Sequence, residues 1–338
     1  MHLHLHPFDL KLQHTFTISR ESHDVQSSLV VKLQQDGISG LGEATANPYY
    51  GVTVDKMIAR LDALMPELNR MELDRPEIFE AWLQTHLSDE PFIRCALDMA
   101  ANDWYAKKEG RPLYKVWDTF WHQEIPLTNY TIGIASVEEM VHKMKETPWP
   151  IYKIKLGTDR DLDIIEALRQ HTDAVFRVDA NCAWSVQQTV EFSRDLKKMG
   201  VEFIEQPLPA EHLEMMEEVY AKSALPLAAD ESCRIESDVE KCAGKFHIIN
   251  IKLAKCGGLT PARRMIAQAR RLRLKTMVGC MTESSVGISA IAHLLPQLDY
   301  VDMDGALLLS NDPASGVVIE NGKILEPTDP GTSATLKM

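Results

Sequence analysis

A row of charged residues, almost evenly spaced through the second half of the chain, constrains its fold more than any other feature. Lys153 and Lys155 close the run Ile151-Tyr152-Lys153-Ile154-Lys155, and Asp179 closes Val175-Phe176-Arg177-Val178-Asp179. Glu205 closes Val201-Glu202-Phe203-Ile204-Glu205, Asp230 closes Leu227-Ala228-Ala229-Asp230, and Lys252 closes Ile248-Ile249-Asn250-Ile251-Lys252. The steps from Lys155 are 24, 26, 25 and 22 residues, each the length of one strand, one loop and one helix. A repeated βα unit with a charged group at the C-terminal end of each strand describes the working rim of a parallel barrel.

Around this row the chain divides into three expected parts. Residues 1–124 form an α+β capping domain. Its first ~50 residues read as strands, with Leu29-Val30-Val31-Lys32-Leu33 and Ile38 to Glu43 joined by the hairpin turn Asp36-Gly37. Helical spacing follows in Met57, Leu61, Leu64, Met65 and Leu68, and again from Ile93 to Tyr105, with Gly110 as a C-cap and Pro112 beyond it. Residues 125–315 form a (β/α)8 barrel, with strands expected at 128–133, 151–155, 175–179, 201–205, 226–230, 247–252, 275–279 and 299–303. Residues 316–338 return to the capping domain through a hairpin turning at Asn321-Gly322.

The formal net charge of −13 argues against a nucleic-acid surface, which needs a basic field. No stretch has the length and apolarity of a membrane span, and the N-terminus has neither a basic nor an apolar leader region. The six cysteines form no C-x-x-C pair, so reduced thiols and a cytoplasmic location are expected. The sequence leaves a homo-oligomer open.

Asp179, Glu205 and Asp230 fall on three consecutive strand ends. Neighbouring strands lie ~4.8 Å apart, so the three carboxylates can converge on one ion, and all-oxygen ligation suits Mg2+. Any one of them alone reads equally well as a helix cap; three in register, with lysines on either side, do not. Lys155 and Lys252 flank the trio and would face each other across the barrel mouth. As proton carriers they need neutral amines, which burial, Lys153 and the ion would favour.

At this point the chain resembles a known group. Lys153-Ile154-Lys155 is similar to the K-x-K motif of the muconate-lactonizing subgroup of the enolase superfamily. Val178-Asp179-Ala180-Asn181, Glu205-Gln206-Pro207, Ala229-Asp230-Glu231-Ser232 and Asn250-Ile251-Lys252 follow its later strands in order. Leu97-Asp98-Met99-Ala100 with Gly110-Arg111-Pro112-Leu113-Tyr114 resembles its capping-domain helix. The resemblance spans essentially the whole chain. It implies an enolase-like fold, one Mg2+ per subunit, and proton transfer by lysines through a metal-stabilised ene-diolate; that chemistry is a recognised property of the superfamily, not a product of the spacing.

Within the superfamily, the D-x-D pair Asp302 and Asp304 resembles the one with which dipeptide epimerases hold a substrate's α-ammonium. Cys280, Thr282 and Thr131 would contact the substrate backbone, with Lys153 beside its carboxylate. Arg20 resembles the arginine that binds a side-chain carboxylate in L-Ala-D/L-Glu epimerases, and Tyr49-Tyr50-Gly51 would supply a second loop over the site. The expected substrate is therefore a small dipeptide of the L-Ala-D/L-Glu type, from murein peptide metabolism, inverted at its C-terminal residue. Other dipeptides, apolar or cationic, remain open as substrates. So do N-succinylamino acid racemase and o-succinylbenzoate synthase activities, which would not use Asp302 and Asp304, and a non-catalytic binding protein on the same fold. His2, His4 and His6 lie about 120 residues before the barrel and read as one face of a strand.

Overall fold

The computed structural model describes residues 1–19 and 21–337. Strands β1 (His2–Thr17), β2 (Ser22–Gln35) and β3 (Ile38–Thr45) form an antiparallel sheet in that order. The turn between β2 and β3 places Asp36 at φ 53° and Gly37 at φ 77°. Two left-handed residues in a row make the tight hairpin that the Asp-Gly pair favours. Helices α1 (Val54–Leu68), α2 (Pro76–His86) and α3 (Pro91–Lys108) follow, and α3 lies flat on the sheet.

Small residues permit that approach. A Cβ on Gly40 would lie 1.9 Å from Ala100 O, and one on Gly42 1.9 Å from Ala96 O, both backbone atoms of α3. Gly42→Ala is therefore expected to lift α3 off the sheet and destabilise the protein by about 1–3 kcal/mol, as overpacked interiors do. Urea denaturation measures this, and an unchanged midpoint would contradict the packing.

The second half is the expected barrel. Eight parallel strands run in sequence order: β4 (Tyr130–Ile132), β5 (Ile151–Lys155), β6 (Val175–Asp179), β7 (Val201–Glu205), β8 (Leu227–Ala229), β9 (Ile248–Ile251), β10 (Lys275–Gly279) and β11 (Tyr300–Asp302). A parallel bridge between Thr128 and Val301 joins the first strand to the last. Phe203, Ala228, Ile248 and Met277 fill the lower interior with Tyr300 against them. Arg177 crosses this floor, donating from Nε to Glu202 at 2.8 Å and from Nη1 to Val301 O at 3.0 Å. The barrel interior is thus a packed core, not a pore.

The C-terminal hairpin pairs Ile319–Glu320 with Lys323–Ile324. Its tip docks on the base of the barrel, where Thr128 N donates to Gly322 O at 2.8 Å. A main-chain donor just ahead of β4 has found an acceptor there, as buried backbone groups must. The stretch after the hairpin meets the end of α3: Thr332 N donates to Asp103 at 2.7 Å, and Leu113 N to Gly331 O at 2.9 Å. No helix among the described residues is long and apolar enough to cross a membrane.

Candidate active site

Strand register builds the site. Lys155 is opposite Asp179, and Asp179 opposite Glu205, so these three share one layer at the rim. Asp230 and Lys252 lie one residue beyond β8 and β9. Lys153 lies one layer below, in register with Thr131. Above the rim, the loop from β1 to β2 reaches over from the cap: Ile134 N donates to Thr17 O at 2.8 Å, and Ser19 lies against Gly157. Between cap and barrel is a cavity of about 370 Å³.

Lys153, Lys155, Asp230, Lys252, Asp302 and Asp304 line this cavity, together with Thr131, Cys280 and Thr282. Asp179 and Glu205 are completely buried behind Lys153 and Lys155. Phe16, Ile18, Glu21, His23 and Gln26, from one part of the cap, and Asn47 to Tyr50, from the stretch after β3, line the cavity as well. Arg20 lies outside the described residues. The ring of Tyr50 faces the Arg234 guanidinium at 4.8 Å, and burial pushes its hydroxyl up to about 12.

The three carboxylates are held alike. One oxygen of each is pinned from behind: Asp179 Oδ1 by Asn181 N at 2.9 Å, Glu205 Oε1 by Asn250 Nδ2 at 2.8 Å, and Asp230 Oδ1 by Lys255 Nζ at 2.5 Å. Among the described residues, the other oxygen of each meets only lysine ammonium groups. Asp179 Oδ2 lies 2.7 Å from Lys155 and 3.2 Å from Lys153, Glu205 Oε2 2.8 Å from Lys153, and Asp230 Oδ2 2.9 Å from Lys252. The contact at Glu205 Oε2 is not aligned as a hydrogen bond, which leaves a buried carboxylate oxygen with no donor.

Burial pushes Glu205 up to about 7, with Asp179 and Asp230 adding to the rise against the pull of Lys153. Three oxygens, each with a pinned partner and one without a donor, fit a hard divalent cation. Such an ion would compete with Lys155 and Lys252 for the same oxygens.

Lys252 and Lys153 stand paired with carboxylates. Burial alone would lower Lys252, but Asp230 outweighs it and holds the ammonium well above its usual range. Lys153 is raised in the same way by Asp302, Glu205 and Asp179. Carboxylates stand within 3 Å of both amines.

The D-x-D pair is also divided. Asp302 already accepts from Asn129 Nδ2 at 2.8 Å and Lys153 Nζ at 2.9 Å; despite burial, Lys153 holds it well below the usual carboxylate range. Asp304 accepts from Thr131 N at 2.5 Å, and burial with the charge of Asp302 pushes it up to about 7. Its other oxygen, Oδ1, accepts from the Cys280 thiol at 4.0 Å. Cys280, Asp302 and Asp304 could converge on a metal geometrically, but burial keeps the thiol protonated. An organic ammonium suits this corner better than a metal ion.

Some partners escaped sequence reasoning. Asn250 and Gln206 stood in quoted motifs without a role; Gln206 Oε1 accepts from Asp230 N at 2.9 Å and Ser232 N at 3.0 Å, setting the exit of β8. Lys255 and Asn129 carried no sequence signal, Asn129 lying just before β4.

A lysine-flanked carboxylate trio at the mouth of a (β/α)8 barrel, beneath an α+β cap, defines an enolase-type enzyme fold. Residues 6–117 match the mandelate racemase / muconate lactonizing enzyme N-terminal domain, and residues 135–338 the enolase C-terminal domain-like family. The chain belongs to this family. It is 56% identical over 336 residues to the L-Ala-D/L-amino acid epimerase of Flavobacterium johnsoniae, covering 99% of this chain and 100% of the relative. The substrate-liganded L-Ala-D/L-Glu epimerase from Bacillus subtilis superposes with a TM-score of 0.93 at 26% identity, covering 99% of this chain and 98% of the other. The dipeptide epimerase from Cytophaga hutchinsonii, complexed with Mg and D-Ala-L-Val, superposes with a TM-score of 0.94 at 25% identity, covering 99% and 95%.

Proposed function

We propose that the protein is a Mg2+-dependent dipeptide epimerase that inverts the Cα of the C-terminal residue of L-Ala-X dipeptides, L-Ala-D/L-Glu among them. The observation that carries this reading is the pair of lysines at the ends of β5 and β9, half a barrel apart, on opposite sides of the carboxylate trio. Asp179, Glu205 and Asp230 would hold Mg2+, which when bound supplies Lewis acidity toward the substrate carboxylate. Lys155 or Lys252 takes the α-proton from one face, and the opposite lysine returns one to the other. Lys153 faces the negative charge that grows on the carboxylate oxygens. Asp304, with Asp302 behind it, takes the α-ammonium, and Thr131, Cys280 and Thr282 border the peptide. Arg20, by the resemblance to L-Ala-D/L-Glu epimerases, would read an acidic side chain. The wall that would meet the X side chain mixes Phe16 and Ile18 with Glu21, His23 and Gln26, which supports a range wider than glutamate. The reading makes the enzyme a cytoplasmic one, acting on peptides released from murein.

Proton NMR in D2O tests it. With enzyme and Mg2+, L-Ala-L-Glu and L-Ala-D-Glu should each lose the glutamate α-proton signal and yield the other diastereomer. No change with these or with a panel of L-Ala-X dipeptides would refute the assignment. Exchange only on N-succinylamino acids would move it to a racemase.

The Asp304 carboxyl sets a pH dependence. Ammonium binding needs the carboxylate, and the group is held near pH 7, so kcat/KM for dipeptides should rise with pH up to about 7 and then level. Asp304→Asn should flatten that acid limb as well as lower the rate. An unchanged limb in the variant would assign it elsewhere.

A further inference from the structure

Of the three pins behind the carboxylates, two are neutral amides and the third is an ammonium. Lys255 is essentially completely buried and follows Lys252 by one helical turn, within the short helix Leu253–Cys256. Its ammonium donates to Asp230 Oδ1 at 2.5 Å, to the main-chain carbonyl of Asp230, and to Cys233 O at 3.3 Å. An ammonium has three N–H donors, and all three are used on one loop. None of them is directed at the cavity.

The surrounding chain is built to bury this amine. Gly257 and Gly258 follow at φ 99° and 123°. A Cβ on Gly257 would lie 2.3 Å from Arg94 Nη2, and one on Gly258 2.4 Å from Asp98 Oδ2, so side chains of α3 fill the space where side chains here would stand. Arg94 donates to Cys256 O at 3.0 Å, and Asp98 accepts from Thr260 N at 2.9 Å. The cap thus clamps both ends of the turn that carries Lys255.

We propose that Lys255 is a positioning residue for the metal site: it fixes Asp230 Oδ1 so that Oδ2 alone turns to the cation. The proposal rests on the reading of Asp179, Glu205 and Asp230 as the metal ligands. A neutral pin would leave the Asp230 carboxylate and carbonyl competing for fewer donors. Partners of this kind orient metal ligands, and their loss typically weakens metal binding.

The test is titration calorimetry of Mn2+ into the metal-stripped full-length protein, with thermal melts of the same samples. Lys255→Met should weaken Mn2+ binding about 10–100-fold. Lys255→Gln, which keeps a donor, should fall between it and the wild type, and it carries the test if the methionine variant does not fold. A purely structural brace would lower the melting temperature and leave Mn2+ affinity unchanged, and that result overturns the proposal. Failure of the wild type to bind Mn2+, or wild-type binding by Asp230→Asn, would instead overturn the reading of the trio as the metal site.

Discussion

Lys155→Ala and Lys252→Ala will each lower epimerisation by about 10²–10⁴-fold, the range that a positioned acid or base supplies. The two amines stand at the ends of β5 and β9, four strands apart in an eight-stranded barrel, so each can reach only one face of a substrate between them. Inversion needs both, because a proton removed from one face must be replaced on the other. Exchange needs only one. Each variant should therefore still wash the α-proton of one diastereomer into D2O while producing none of the other, and the two variants should act on opposite diastereomers. If both single variants continue to interconvert the diastereomers, the two-base scheme is lost. Circular dichroism of each variant guards against a trivial cause, since removing Lys155 or Lys252 strips Asp179 or Asp230 of an ion-pair partner.

Glu205→Gln should be comparably severe, on the order of 10³-fold in kcat/KM, by removing several kcal/mol of Lewis-acid assistance. Of the three proposed ligands, Glu205 has the least support from the chain: Asn250 holds one oxygen, and the other has no hydrogen-bond donor among the described residues. A glutamine amide keeps the shape but not the charge, and it points N–H groups or a weaker acceptor where an anionic oxygen is needed. Loss of Mn2+ binding in calorimetry should accompany the loss of rate. A variant that binds Mn2+ normally yet is inactive would show that Glu205 serves the proton transfer and not the ion. Lys153 sharpens the expectation, because with Glu205 neutral its ammonium keeps Asp302 and Asp179 as charged partners and would repel a cation entering beside it.

Much of the fold was legible in the sequence because its signals are local. The apolar runs closing on Lys155, Asp179, Glu205 and Asp230 end within a residue of where their strands end, since an inward-facing charge at a strand's C-terminus is a boundary the chain itself writes. Asp36-Gly37 announced its hairpin through the left-handed conformations those two residues tolerate. The carboxylate trio was legible for the same reason: regular spacing of βα units brings the strand ends to one rim. Arg20 lies outside the described residues, and its role rests on resemblance.

What the sequence alone determined is the barrel, its cap, and the set of charged groups delivered to the mouth, because strand period, turn chemistry and helix length act over a few residues at a time. Only the tertiary structure decided how those groups pair. It set Lys153 between three carboxylates, divided Asp302 from Asp304, turned Lys255 toward Asp230, and seated the C-terminal hairpin on the base of the barrel. These outcomes depend on the direction of side chains from strands far apart in sequence, packed in an interior where unpaired charge is costly. The field at each amine is then set by neighbours from several strands at once.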